Sequence, residues 1–225
     1  MKPTGPQKLS IDVAKAGPVS ALLMRPADAR ACFVFAHGAG AGMTHSFMET
    51  FASGLGERGI ASLRYQFPYM EKGSKRPDPP AIAQAAVRAA VEQAGRSFPG
   101  VALIAGGKSF GGRMTSQAQA AAPLPGVRGL AFIGFPLHPA GKPSTDRAKH
   151  LDDVRIPMLF LQGSRDALAD VALIEPVVQR LGSLATLHLV EGADHSFHVL
   201  ARSGRNDREV LNEILDAFAE WANAL

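Results

Sequence analysis

Ser109, Asp166 and His195 are the residue types that nucleophilic acyl transfer requires, each in a turn or loop that leaves an apolar run. A serine hydroxyl is a poor nucleophile at neutral pH, so it needs a base within hydrogen-bond reach and a carboxylate that orients the base. Ser109 sits at the centre of Gly107-Lys-Ser-Phe-Gly111, with Gly112 behind it. Such a serine stands on a strained strand-to-helix turn, and the residues two before and two after it must be small because the backbones nearly touch there. Three fixed positions in five carry little weight alone, since a glycine-rich turn with an idle serine has the same pattern. The setting adds the weight: an apolar run, Val101 to Ala105, precedes the turn and a helical stretch, Gly111 to Ala121, follows it.

The acid and the base each leave an apolar run. Asp166 closes Gly163-Ser-Arg-Asp directly after Met158-Leu-Phe-Leu-Gln162, and His195 lies in Glu191-Gly-Ala-Asp-His-Ser-Phe197 after Leu187-His-Leu-Val190. Asp170 competes with Asp166 but falls at a helix start, where an acidic residue serves the dipole or a cap. Among the other histidines, His188 lies within a strand, His198 borders a helix, and His45 and His150 read as surface or capping residues. The loop His37-Gly-Ala-Gly-Ala-Gly42 offers backbone N–H groups for an oxyanion. Ala39 is the first choice from this loop and Gly40 the second, acting with the N–H of Phe110, the residue after the nucleophile. A phosphate or dinucleotide cradle is the rival use of this loop, but the GxGxxG spacing is incomplete and no Walker Lys-Ser/Thr follows. His37 itself reads as a hydrogen-bonding brace for the loop.

Parts so far apart in the chain need a sheet to bring them together. Eight strands are expected: Leu9 to Ala14, Val19 to Arg25, Cys32 to Ala36, Ala61 to Tyr65, Val101 to Ala105, Gly129 to Gly134, Met158 to Gln162 and Thr186 to Val190. Helical periodicity runs from His45 to Arg58, Pro80 to Ala94, Gly111 to Ala121, Leu168 to Leu181 and Asp207 to Ala222, with Asn206 as a cap for the last. Alternating strands and helices predict an α/β fold with a mostly parallel sheet and helices on both faces. The first two strands, joined by Ala16-Gly17-Pro18, should pair as an antiparallel hairpin at the edge. The connection from Phe135 to Pro157 is too short for a separate cap domain. Residues 1–225 are therefore expected to form a single domain.

Composition excludes several classes. Of 225 residues, 46% are apolar and 20% charged, the balance of a globular chain with a sizeable core. The net charge of +4 is scattered rather than clustered, which argues against nucleic acid as a partner. The single cysteine, Cys32, lies in an apolar run and reads as a buried hydrophobe. No signal peptide and no membrane-length apolar stretch is present, so a cytoplasmic location with no membrane partner is expected. No metal-ligand spacing and no cofactor motif occurs, so none of either is expected.

With those motifs on the page, the chain resembles an α/β hydrolase of the small, lidless type, similar in plan to dienelactone hydrolases. More narrowly, His37-Gly-Ala-Gly-Ala, Arg64-Tyr-Gln-Phe-Pro-Tyr69, Gly107-Lys-Ser-Phe-Gly-Gly-Arg113, Pro136-Leu-His-Pro139 and Gly163-Ser-Arg-Asp166 resemble a little-characterised hydrolase family. Its eukaryotic relatives include a testis-expressed protein and a subunit of a histone acetyltransferase complex. The resemblance implies a hydrolase scaffold and leaves the substrate open. It also supplies the alternative of a non-catalytic interaction or scaffold protein. Loops at the carboxyl ends of the strands carry Arg64, Lys72, Lys75, Arg76, Lys108, Lys142 and Arg165, which predicts a positive rim suited to an anionic group. Gly40, Tyr69, Lys108 and His138 are the expected substrate contacts, with Phe67, Tyr69 and Phe110 on the apolar side. The resulting expectation is hydrolysis of a small carboxylic ester; thioesters and amides use the same parts.

Overall fold

Apolar runs alternating with helical segments build one eight-stranded sheet in the computed structural model, which describes residues 5–225. The strands are β1 (Gln7–Val13), β2 (Gly17–Met24), β3 (Ala31–Ala36), β4 (Ile60–Tyr65), β5 (Ala102–Lys108), β6 (Val127–Ile133), β7 (Met158–Gly163) and β8 (Ala185–Val190). Their order in the sheet is β1-β2-β4-β3-β5-β6-β7-β8. β2 runs antiparallel to both β1 and β4, and every other neighbouring pair is parallel. The carboxyl ends of β3, β5, β6, β7 and β8 therefore share one edge.

The helices are α1 (Ser46–Glu57), α2 (Pro68–Glu71), α3 (Pro80–Ser97), α4 (Phe110–Ala121), α5 (Val171–Leu181) and α6 (Asp207–Asn223). They cover both faces. Along β3 the side chains alternate, as a strand requires. Phe33 and Phe35 join Phe51 of α1 and Phe218 of α6 in one core, while Cys32 and Val34 belong to the other, beneath α3 and α4. Covered on both sides, β3, β4 and β7 are buried at every residue. Helix α3 buries Ala83, Ala86, Ala90 and Ala94, whose small side chains let it lie close to its neighbours. No helix among the described residues is long and apolar enough to cross a membrane.

Several boundaries moved. β5 continues past Ala105 to Lys108, because Gly106 and Gly107 find ladder partners in Phe35, Ala36, Ala131 and Phe132 despite their poor intrinsic strand preference. Helix α5 begins at Val171 rather than Leu168, capped by the Asp170 carboxylate, which accepts from the Ala172 N–H at 3.0 Å. Four-residue α2, opened by Pro68, was too short to carry a period. Asn206 caps α6 in a full capping box with Glu209. The segment between β6 and β7 holds only a 3-10 turn, Asp146–Asp153, in place of a cap.

Two histidines are structural. His37, fully buried at the end of β3, sends its Nδ1–H to the Gly38 carbonyl at 2.7 Å, and its Nε2 accepts from the Phe67 N–H at 3.1 Å. His150, expected at the surface or at a cap, is half-buried, with Nε2 2.8 Å from Ser116 Oγ. Burial pushes both imidazoles down to about 4, and Arg113 adds to the effect on His150. In the unfolded chain both protonate near 6.5, so the unfolded state binds more protons as the pH falls. Stability on their account is complete above pH 6.5 and is lost progressively down to about 4. Urea titrations between pH 7 and 4 are expected to show this decline, with a shallower slope in His37→Asn; an unchanged slope would assign the effect elsewhere. Phe132 packs against Phe135 and Phe160 at ring separations of 5.2 and 4.9 Å beneath the start of α4. Phe132→Ala is expected to cost about 3–5 kcal/mol, read as a lowered urea midpoint at constant m.

Candidate active site

Register fixes the turn that carries Ser109. Gly107 of β5 lies opposite Ala36 of β3, and the chain then turns directly into α4. A Cβ on Gly107 would stand 2.3 Å from the Ala36 carbonyl oxygen, and one on Gly111 would stand 2.6 Å from that same atom. The obstacle at both positions is thus the neighbouring strand. β5 itself approaches α4 at Gly112, whose Cβ would lie 2.8 Å from the Gly107 oxygen. Between the glycines, Ser109 adopts φ 49°, ψ −114°, a conformation that L-residues rarely take and that a rigid surround must enforce. Its N–H donates to the Ile133 carbonyl at 3.0 Å, which ties the turn to β6.

The three residues singled out by sequence come together. Ser109 Oγ is 2.9 Å from His195 Nε2, and His195 Nδ1 is 2.7 Å from Asp166 Oδ2. A carboxylate is an acceptor only, so the proton sits on Nδ1 and the Nε2 lone pair faces the serine hydroxyl. The Asp166 side chain is wholly buried, its Oδ1 accepting from the Leu168 N–H at 2.8 Å and its Oδ2 also accepting from Gln162 Nε2. Gln162, in turn, accepts the Phe135 N–H at 2.9 Å. Sequence reasoning passed over this glutamine, although a polar residue ending the apolar run of β7 was the available clue. The loop bearing His195 is shaped by Asp194, whose Oδ1 accepts from the N–H groups of Ser196 and His198 at 2.8 and 3.0 Å.

The triad opens on a cavity of about 430 Å³. Its apolar walls are Phe47 and Met48 at the start of α1 and Leu168 after β7, with Ala39 and Ala41 from the glycine loop. The N–H groups of Ala39 and Phe110 have no acceptor among the described residues. Gly40 differs, because its N–H donates to the Tyr69 hydroxyl at 3.0 Å. Gly40 therefore braces the loop and is not a free donor.

Of the four residues expected to touch substrate, Lys108 alone lines this cavity. Tyr69 is 3% exposed, its hydroxyl occupied by Gly40 and its ring packed with Phe67, Phe110 and His37. The Phe67–Tyr69–Phe110 group thus buttresses the loop from behind, and Phe47, Met48 and Leu168 supply the apolar surface instead. His138 is also 3% exposed; its Nε2 accepts from the Asp170 N–H at 3.4 Å, and it borders a separate hollow beyond Asp166. The positive rim disperses as well. Arg64 is 2% exposed and donates to the Met43 carbonyl at 3.0 Å, while Lys72 and Arg76 flank a different hollow beside Tyr69. Lys108 is half-buried, and its ammonium turns inward to donate to the backbone carbonyl of His195. Burial lowers its pKa to about 8 against the opposing attraction of Asp166 and Asp194.

Residues 29–223 match the model of an alpha/beta hydrolase domain. An α/β serine hydrolase without lid from Xanthomonas campestris is 23% identical, superposing with a TM-score of 0.75 over 98% of this chain and 97% of that one. A dienelactone hydrolase from Anabaena variabilis is 20% identical, with a TM-score of 0.77 over 97% of each chain. The esterase domain of a Rhodothermus marinus protein is 17% identical, with a TM-score of 0.73 over 97% of this chain and 98% of that domain. At these identities the likeness is one of fold. The family match spans most of the chain, from before β3 to the last turn of α6, and on that ground this protein belongs to the α/β-hydrolase family.

Proposed function

We propose that the chain is a serine hydrolase that works by acyl transfer on a small carboxylic ester. The observation that carries the reading is the unbroken hydrogen-bonded line from Ser109 Oγ through His195 to Asp166, facing a cavity beside the N–H groups of Ala39 and Phe110, which have no acceptor among the described residues. His195 takes the serine proton as Oγ attacks the ester carbonyl, and the N–H groups of Ala39 and Phe110 hold the developing oxyanion. His195 then returns the proton to the leaving alkoxide. Water, activated by the same imidazole, releases the acid and restores the serine. Asp166 keeps Nδ1 protonated and steadies the imidazolium.

Cavity size and lining narrow the substrate. About 430 Å³ lies at the small end of ligand-site volumes. Walls of Phe47, Met48 and Leu168 suit an uncharged, apolar acyl group. The expected anionic preference loses its support, because the ammonium of Lys108 is already engaged and the other rim cations lie elsewhere.

The test is burst and steady-state hydrolysis of p-nitrophenyl esters from acetate to octanoate, with one anionic member, alongside fluorophosphonate labelling. Ser109→Ala is expected to lower kcat by at least about 10⁴-fold and to abolish labelling. His195→Ala should match it, and the double variant should be no worse, since the parts act as one unit. The shorter esters should outpace octanoate, with no advantage for the anionic one. A wild-type protein with neither turnover nor labelling would instead support an interaction or scaffold role.

A further inference from the structure

The residue before the nucleophile is a lysine whose ammonium is engaged by the protein's own backbone. Lys108 Nζ donates to the His195 backbone carbonyl and lies 5.2 Å from the centre of the Phe197 ring and 5.9 Å from that of Phe47. Room for it is made by Gly134, just past β6, where a Cβ would stand 2.9 Å from Nζ and 3.3 Å from His195 Nδ1 and Cε1. One dipeptide, Lys108-Ser109, thereby reaches both ends of the base: Oγ meets the imidazole and Nζ meets the main chain.

We propose that Lys108 is a positioning residue that clamps the His195 loop through its carbonyl and so holds the imidazole in line with Ser109. The inference rests on the acyl-transfer reading above. A charge-assisted hydrogen bond beside the stacked rings of Phe47 and Phe197 is directional and partly shielded from water, which suits a clamp better than a substrate contact. The charged groups facing Nζ are Asp166 from the loop after β7 and Asp194 from the loop after β8; His45 and His195 line the same cavity. With a pKa of about 8, the ammonium is lost under mildly alkaline conditions, and the neutral amine that replaces it bonds more weakly. Activity should therefore decline above pH 8 while the fold persists. On this group's account stability rises with pH between about 8 and 10.5, because the folded chain binds fewer protons there than the unfolded one.

The test compares wild type with Lys108→Met and with Lys108→Cys alkylated by 2-bromoethylamine, which rebuilds a lysine-length ammonium. Buried Cys32, its thiol pushed up to about 12, does not compete for the reagent. All three are first checked for cooperative urea unfolding. Lys108→Met is expected to lower kcat by about 30- to 100-fold, the scale of an ångström-level misplacement, and to lose the alkaline limb near pH 8. KM should stay within about threefold, since uniform binding is untouched. The alkylated variant should recover kcat to within about fivefold, with its limb restored. Hydrogen exchange of residues 191–199 reads the clamp without any turnover, and Lys108→Met should speed it about tenfold at pH 7. Unchanged exchange, an unchanged alkaline limb, or a KM defect confined to the anionic ester would overturn the proposal. If the wild type is inactive and unlabelled while Lys108→Met still loosens that loop, the acyl-transfer reading has failed and the clamp has not.

Discussion

The carbonyl oxygen of Ala36 excludes a Cβ from both Gly107 and Gly111, and much of the site follows from that crowding. Strand β5 can approach β3 this closely only as bare backbone, so the chain must leave the sheet abruptly and enter α4 at once. Ser109 takes up the geometry of that exit in a strained left-handed conformation. The sheet makes the strain sustainable, since β5 is bonded on both sides, to β3 and to β6. Ala36 is also the last residue of β3, so the strand that crowds the elbow leads directly into the loop bearing Ala39. Ser109 and the glycine loop that bears Ala39 are thereby set side by side by one pair of neighbouring strands.

Around this fixed turn, polar groups are arranged by what burial permits. Asp166 is a wholly buried carboxylate, and it is supplied with the Leu168 N–H, the Gln162 amide and the His195 imidazole as donors. A buried charge without such partners would be too costly to keep ionised. His37 meets the same constraint in the opposite way, remaining neutral with one ring nitrogen donating and the other accepting. Both solutions lock their rings, one in the reacting line and one behind the glycine loop. Lys108 is the intermediate case, a cation retained in a half-buried position by two carboxylates, two aromatic faces and a carbonyl.

The apolar wall of the cavity comes from elements outside this frame. These are the first turn of α1 and the loop after β7, while the β6–β7 connection, where a cap could have grown, folds down as a 3-10 turn. An α/β sheet of this kind positions chemistry at its carboxyl edge and leaves recognition to whatever the loops present there. In this chain they present Ala39, Ala41, Phe47, Met48 and Leu168 around an open hollow.

Much of the plan was legible in the sequence because it is written in local patterns. Apolar runs, glycine spacing and the Asn206 cap depend on short-range sterics and on period, which neighbouring residues reveal, while the order Ser109, Asp166, His195 matches that of α/β hydrolases. Exposure at the strand ends was not legible. Arg64, Tyr69 and His138 stand where loops leave the sheet, yet each is turned inward by a partner distant in sequence: Met43, Gly40 and Asp170. The pocket wall was missed for the same reason, since Phe47 and Leu168 lie about 120 residues apart in the chain and meet only across the cavity. The sequence by itself determined the fold class and the elbow, because period and backbone sterics are local, and it marked Ser109, Asp166 and His195 by their places at the ends of apolar runs. Which cations stay in water, which backbone N–H groups remain free and which side chains form the pocket were decided only by tertiary structure, because burial and long-range hydrogen bonding are properties of the packed chain.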